Sequence, residues 1–273
     1  MYKLVTFSLI ALVHAFPLTI HATDLTIAAG KTLTAEGDLS LNRLIMEDGA
    51  TLVAPSASQT WSLQAQQAVL IGKSYIRSSG LAGQSGANAP IDTHDTRPCE
   101  QGVDGVAGGE GENGSAGTTM QITLGIKQLD HLQINARGGD GGVGGNGGNG
   151  APGGRAKGCH GAQGGNGGAG GSGGDGGSGG DVTFRYWLEN DQASVPITNY
   201  GEGLIIQTDG GAGGEGGKAG LGGSGGKGRF EKRTTNITVT REPGKRGADG
   251  QPGIDGLQGE DGRFRIIALP VAP

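Results

Sequence analysis

Gly138-Gly139-Asp140-Gly141-Gly142-Val143-Gly144-Gly145-Asn146-Gly147-Gly148-Asn149 opens a stretch, 138–180, in which 25 of 43 residues are glycine on a period of three. A flexible linker has no need of a strict period. A polyproline II chain has three residues per turn and rises about 3.1 Å per residue. On such a rod a Gly-Gly-X repeat leaves two faces bare and gathers every X on the third. Bare faces admit neighbouring backbones, so the stretch reads as part of a packed bundle of extended glycine rods.

The triplet recurs in the tracts 102–117, 138–154, 161–180, 210–228 and 244–262, each sixteen to twenty residues long. At ~3.1 Å per residue they span about 50–60 Å, and matched lengths are what side-by-side packing requires. Strand-like segments separate them: Met120–Leu124, Leu132–Ile134, Val182–Trp187, Leu204–Ile206 and Asn236–Val239, with Phe264–Leu269 closing the chain. Tract 244–262 is a true Gly-X-Y run with Pro252 at its middle, compatible with one pass across the bundle or with a doubling back. Collagen needs proline at roughly 15–20 %, whereas this chain has 10 prolines in 273 residues. A triple helix also leaves the doubled glycines without a purpose. A single-chain bundle accounts for both.

Upstream, residues 24–78 follow a different rule. Leu25 and Ile27, Leu39 and Leu41, Leu44 and Met46, Trp61 and Leu63, and Val69 and Ile71 alternate with other residues, the period of two that strands show. Gly30-Lys31-Thr32-Leu33-Thr34-Ala35 is echoed nineteen residues on by Gly49-Ala50-Thr51-Leu52-Val53-Ala54, and more loosely by Gly72-Lys73-Ser74-Tyr75-Ile76. Repeats of this length suit rungs of a β-solenoid, where one rung buries its apolar face only against the next; an ordinary small antiparallel sheet is the alternative. The expected fold class is all-β/irregular without long helices. A solenoid-like or small-sheet domain at 23–78 precedes a polyglycine II bundle with interleaved strands at 79–273.

Lys3 followed by the apolar run Leu4–Val13 reads as a secretory signal, 1–22, with Ala22 as the cleavage point and Ala15 as a poorer one. The run ends at His14 and Pro17, short of the ~20 residues a membrane span needs. The mature chain, from Thr23, is expected to be secreted or held at the cell surface without a membrane span. There it carries 20 Lys and Arg against 26 Asp and Glu, with no basic stripe of the kind that attracts nucleic acid. Export also favours disulfides. Tract 102–117 runs into a strand and tract 138–154 leaves one, so Cys99, before the first, and Cys159, in the turn after the second, converge on the same remote end. A Cys99–Cys159 bridge follows, closing a loop of about sixty residues.

That end also gathers His94, Asp95, Arg97, Glu100, Arg155, Lys157 and His160. Mixed charges and imidazoles on rigid turns suit a recognition surface, since binding residues concentrate on loops held by a scaffold. The expected partner is a cell-surface glycan or protein receptor, with ice as the alternative and a purely structural spacer as a third reading. No catalytic residue, metal site or cofactor is assigned. His94 with Asp95, and His160, fall short of the three or four ligands zinc takes. Asp140, Asn146, Asn149, Asn166 and Asp175 lack the sustained nonapeptide of calcium-binding β-helices and read as solvated positions. No phosphate-binding loop or nucleophile elbow is present, and the chain is not expected to be an enzyme.

The tract 138–180 resembles polyglycine II bundle proteins, of which snow flea antifreeze protein and the glycine-rich tail-tip adhesins of T-even-like phages are two kinds. The likeness covers roughly 80–262. One kind implies ice binding through a flat array of small or hydroxyl side chains; the other implies receptor-binding turns displayed by a glycine sandwich. Here the X positions mix Asp140, Val143, Gln163, Glu215, Lys218 and Leu221, a departure from the first. The secretory signal departs from the second.

Overall fold

Residues whose side chains alternate in and out of a core form strands, and here the strands coil. The computed structural model describes residues 24–55, 59–91, 96–189, 203–234 and 237–270; the signal segment 1–22 lies outside them. Among the described residues every regular element is a strand: β1 (Asp24–Ile27), β2 (Thr32–Thr34), β3 (Leu39–Met46), β4 (Thr51–Val53), β5 (Thr60–Arg77), β6 (Thr119–Asn135), β7 (Val182–Leu188), β8 (Leu204–Gln207), β9 (Arg229–Thr234), β10 (Ile237–Arg241) and β11 (Phe264–Ala268).

All but β9 and β10 join one sheet, and its pairings are parallel. The long strands bend where their registers shift, so the sheet has three faces. On the first, Leu39–Leu41 stack on Leu63–Ala65, then on Ile122–Leu124, Phe184–Tyr186 and Ile266–Ala268. The second carries β1 on Arg43–Met46 and these on Gln67–Leu70. The third stacks β2, β4, Tyr75–Arg77, Gln133–Asn135 and Ile205–Gln207. This is a parallel β-solenoid. The sequence echo is its rung: Leu33 pairs with Leu52 and Leu52 with Ile76. Gly30, Gly49 and Gly72 turn the corner between the second and third faces at φ 65°, 76° and 60°, the left-handed region that favours glycine.

Stacked leucines, isoleucines and methionines fill the interior, with Leu44, Met46, Leu52, Leu63, Met120 and Ile122 fully buried. Trp61 is buried too, and its indole N–H donates to the Gly37 carbonyl at 2.9 Å. The strands lying between glycine tracts do not cross-brace the rods. β6, β7, β8 and β11 are further rungs of the solenoid that begins at Asp24.

From the third face the chain leaves along a rod, turns, and returns along a second rod to the first face of the next rung. Three such excursions give outgoing rods 80–91, 138–154 and 210–228 and returning rods 102–117, 161–180 and 244–262. The rod 80–91 was not among the matched tracts, because its triplet of Gly80, Gly83 and Gly86 gives way to Ala89. Tract 244–262 crosses once: Gly161, Gly170 and Gly179 donate in turn to Glu242, Gln251 and Glu260. Outgoing rods form one layer and returning rods the other, parallel within a layer and antiparallel between layers.

One central triplet shows the bonding. Gly144 N–H donates to Glu215 O and Gly145 N–H to Gly109 O, both at 2.8 Å, while Asn146 N–H donates to Asn88 Oδ1 at 2.8 Å. Three successive amides thus serve three different rods. Such bonds leave no room for Cβ: one at Gly145 would overlap the Ala87 carbonyl, and one at Gly144 the Gly171 carbonyl. Doubled glycines occur in 138–154, 161–180 and 210–228, each closed on by at least three neighbouring rods. Rods 138–154 and 161–180, central in their layers, are Gly-Gly-X. The collagen-like 244–262 is an edge rod and needs one.

Asparagine and aspartate at X positions are staples rather than solvated ornaments. Asp140, Asn146 and Asn149 accept through Oδ1 from the amides of Ala212, Lys218 and Leu221, and Asn166 and Asp175 from Ala248 and Leu257, at 2.8–2.9 Å. On the edge rod, Asp249, Asp255 and Asp261 cap the amides of Gly222, Gly216 and Gly210. Arg246, hydrogen-bonded to Asp249, and the Gly222 amide hold that carboxyl below the usual aspartate range. The folded pKa is depressed, so this cap contributes above the unfolded value and is lost as pH falls through the folded one.

Gly168→Ala, whose Cβ would overlap the Val106 carbonyl, is expected to cost about 3 kcal/mol. Gly37→Ala meets open space and should stay within about 0.5 kcal/mol. Denaturant unfolding of the two variants checks the contrast.

Candidate functional site

The rods end, far from the solenoid, in the turn at 96–100, the turn 155–160 and the antiparallel pair of β9 and β10. At ~3.1 Å per residue this end stands about 50 Å from the sheet. Cys99 and Cys159 are bridged there, as their place along the path implied. Pro98-Cys99 forms a tight turn with Cys99 at φ 71°, a strained conformation for a residue with a Cβ. The bridge and the bond from Cys99 N–H to Arg155 O (3.1 Å) hold it.

Backbone bonds tie the other turns together. Ala156 N–H donates to Lys227 O at 2.9 Å, fixing turn 155–160 to the rod that feeds the hairpin. On the far side, Glu242 N–H donates to His160 Nδ1 at 3.0 Å and Gly161 N–H to Glu242 O at 2.8 Å. The hairpin is antiparallel, with Arg229 opposite Arg241, and Phe230 beside it is 75 % exposed.

Of the residues singled out from sequence, Arg97, Glu100, Arg155, Lys157 and His160 stand exposed at this end. His94 and Asp95 lie outside the described residues. His160 has a structural duty, since its imidazole accepts the amide at the hairpin's base. The alternation at 236–239 reads as a single strand before the last tract; in the structure β10 pairs with β9 in a hairpin, which adds Arg229 and Arg241 to the tip. The signal was the return of alternation at Asn236-Ile237-Thr238-Val239 after Arg229 and Phe230, without a glycine tract between them.

A second concave feature lies at the opposite end, where the returning rods meet the solenoid. It is an open groove of about 630 Å³ lined by Ser115–Thr119, Ser178–Asp181 and Glu260–Arg263. Two of its carboxylates are already spoken for: Asp181 accepts from the Arg263 amide and Asp261 from the Gly210 amide. Among the described residues no group of three His, Cys, Asp or Glu is placed to hold a metal ion, and no helix is long and apolar enough to cross a membrane.

These features define a parallel solenoid that carries a bundle of polyglycine hairpins. No protein-family model and no curated protein matches the chain. Among solved structures it is similar to a springtail antifreeze protein from Granisotoma rainieri, described as a nine polyproline type II helical bundle. The two are 24 % identical over 64 % of this chain and 94 % of that one, with a TM-score of 0.15.

Removing the bridge with Cys99→Ser and Cys159→Ser should lower stability by about 4 kcal/mol, the entropy of the closed loop. Hydrogen exchange is expected to rise first at 96–100 and 155–160.

Proposed function

We propose that the protein is an exported, non-enzymatic binding protein of adhesin type, with the solenoid as base and the bundle's far end as contact surface. The observation that carries this reading is the convergence of two turns and a hairpin at one end, joined by a disulfide and by direct backbone bonds. The backbone segments that carry the exposed side chains are held in fixed relation to one another, and binding loops need that rigidity. Export is supported by the apolar run Leu4–Val13 behind Lys3 and by the bridge, which persists in oxidising compartments. The partner is a receptor on a cell surface, glycan or protein.

Ice is the less favoured partner. Asn113, Asp175 and Leu257 follow one another across the outer face of the returning layer, linked side chain to amide, and Leu257 is 74 % exposed. A row of amide, carboxylate and bulky apolar groups does not make the uniform small-residue array that ice recognition implies.

Arg97→Ala combined with Lys157→Ala should weaken adhesion to target cells about tenfold while leaving the unfolding midpoint in place. Unchanged adhesion removes the tip from the reading. Thermal hysteresis and ice shaping by the purified protein are expected to be absent, and a positive result would put ice in place of the receptor.

A further inference from the structure

Charge is segregated along the bundle. The shaft exposes Glu110, Glu112, Asp140, Glu215, Asp255 and Glu260. Of its cations among the described residues, Arg137 faces Asp209 at 3.4 Å and Arg246 faces Asp249 at 2.6 Å, which leaves Lys218. Among the described side chains the far end inverts the sign: Arg97, Arg155, Lys157, Lys227, Arg229 and Lys245 are exposed there, accompanied by Glu100 and Glu242. The chain's net charge of −5 hides this cationic end.

The cations also sit on a fixed frame. Ala156 N–H bonds Lys227 O, Arg155 O accepts from Cys99 N–H, and Gly164 N–H bonds Lys245 O at 3.0 Å, so several rods present positive side chains together. A cluster of like charges held by backbone bonds raises the local concentration of counter-ions, and a multivalent anion gains most from it.

We propose that the tip binds, end-on, a polyanionic surface polysaccharide bearing sulfate, phosphate or carboxylate groups. This rests on the reading of the tip as the contact surface and assigns its ligand class. The acidic shaft repels a polyanion laid along the rods and confines contact to the end. Nucleic acid fits less well: the disulfide belongs to an oxidising environment, where the abundant polyanions are glycans, and an extended duplex would run against the shaft.

Binding of the full-length mature protein to immobilised dextran sulfate, polyphosphate, alginate and neutral dextran tests this, the first three separating the anion types. Expected is binding to at least one of the charged polymers and not to neutral dextran. That binding should fall about tenfold in Arg155→Glu with Lys227→Glu and be lost in ~0.5 M NaCl, where screening is short-ranged. Lys218→Glu on the shaft should have little effect. Failure to bind any charged polymer, equal binding by the double variant, or tighter binding to duplex DNA overturns the proposal. If Arg97→Ala with Lys157→Ala abolishes cell adhesion while none of the polymers competes, the tip remains the contact surface and only its ligand class is wrong. Adhesion insensitive to both double variants overturns the two readings together.

Discussion

An amide hydrogen bond between extended rods demands that the donor's backbone come within 2.7–3.0 Å of a neighbour's carbonyl, and at that approach a side chain has no volume to occupy. The bundle is organised around this requirement. Glycine costs more backbone entropy on folding than any other residue, and rods without side chains bury little apolar area in return. Their cohesion comes from repeated N–H···O=C bonds, each worth about 1 kcal/mol net. The asparagine and aspartate staples add to these by occupying amides that backbone carbonyls do not reach.

Such a network needs its register set from outside, because successive triplets are nearly alike. The solenoid supplies it. Its rungs lie about 4.8 Å apart, and three successive rungs each emit one hairpin. Rods within a layer thus start side by side at rung spacing, and their offset stays constant from base to tip, as in Gly102 to Gln163 and Gly117 to Ser178. Buried side chains such as Leu44, Leu63 and Ile122 stabilise the base, and the disulfide closes the other end. Between these fixed points the glycine rods have one alignment in which every triplet is bonded.

The same construction explains why chemistry is segregated to the end. Along the shaft two of three positions in a central triplet are sterically committed to glycine, and part of the third is committed to staples. Free choice of side chain returns where the rods turn, and there the cations gather. At this edge of the bundle, aspartates of rod 244–262 cap the Gly210, Gly216 and Gly222 amides of rod 210–228 and satisfy donors that would otherwise invite another rod, much as charged residues guard the edge strands of sheets.

Periodicity determined most of the elements: triplet glycine marked five of the six rods, alternation marked strands other than β9, and the nineteen-residue echo between Leu33 and Leu52 marked a rung. Path counting also placed Cys99 and Cys159 at one end, since a rod of known direction has only two ends. These are local rules, repeated in the chain and readable from it. Which rod is central and which is an edge, that Asn146 reaches Asn88 and Lys218, and that Lys227 and Lys245 join Arg155 at a cationic tip were decided only by the fold. Each depends on residues 58 to 82 positions apart being brought together by the stacking of rungs, and near-identical triplets carry no label saying which neighbour is theirs.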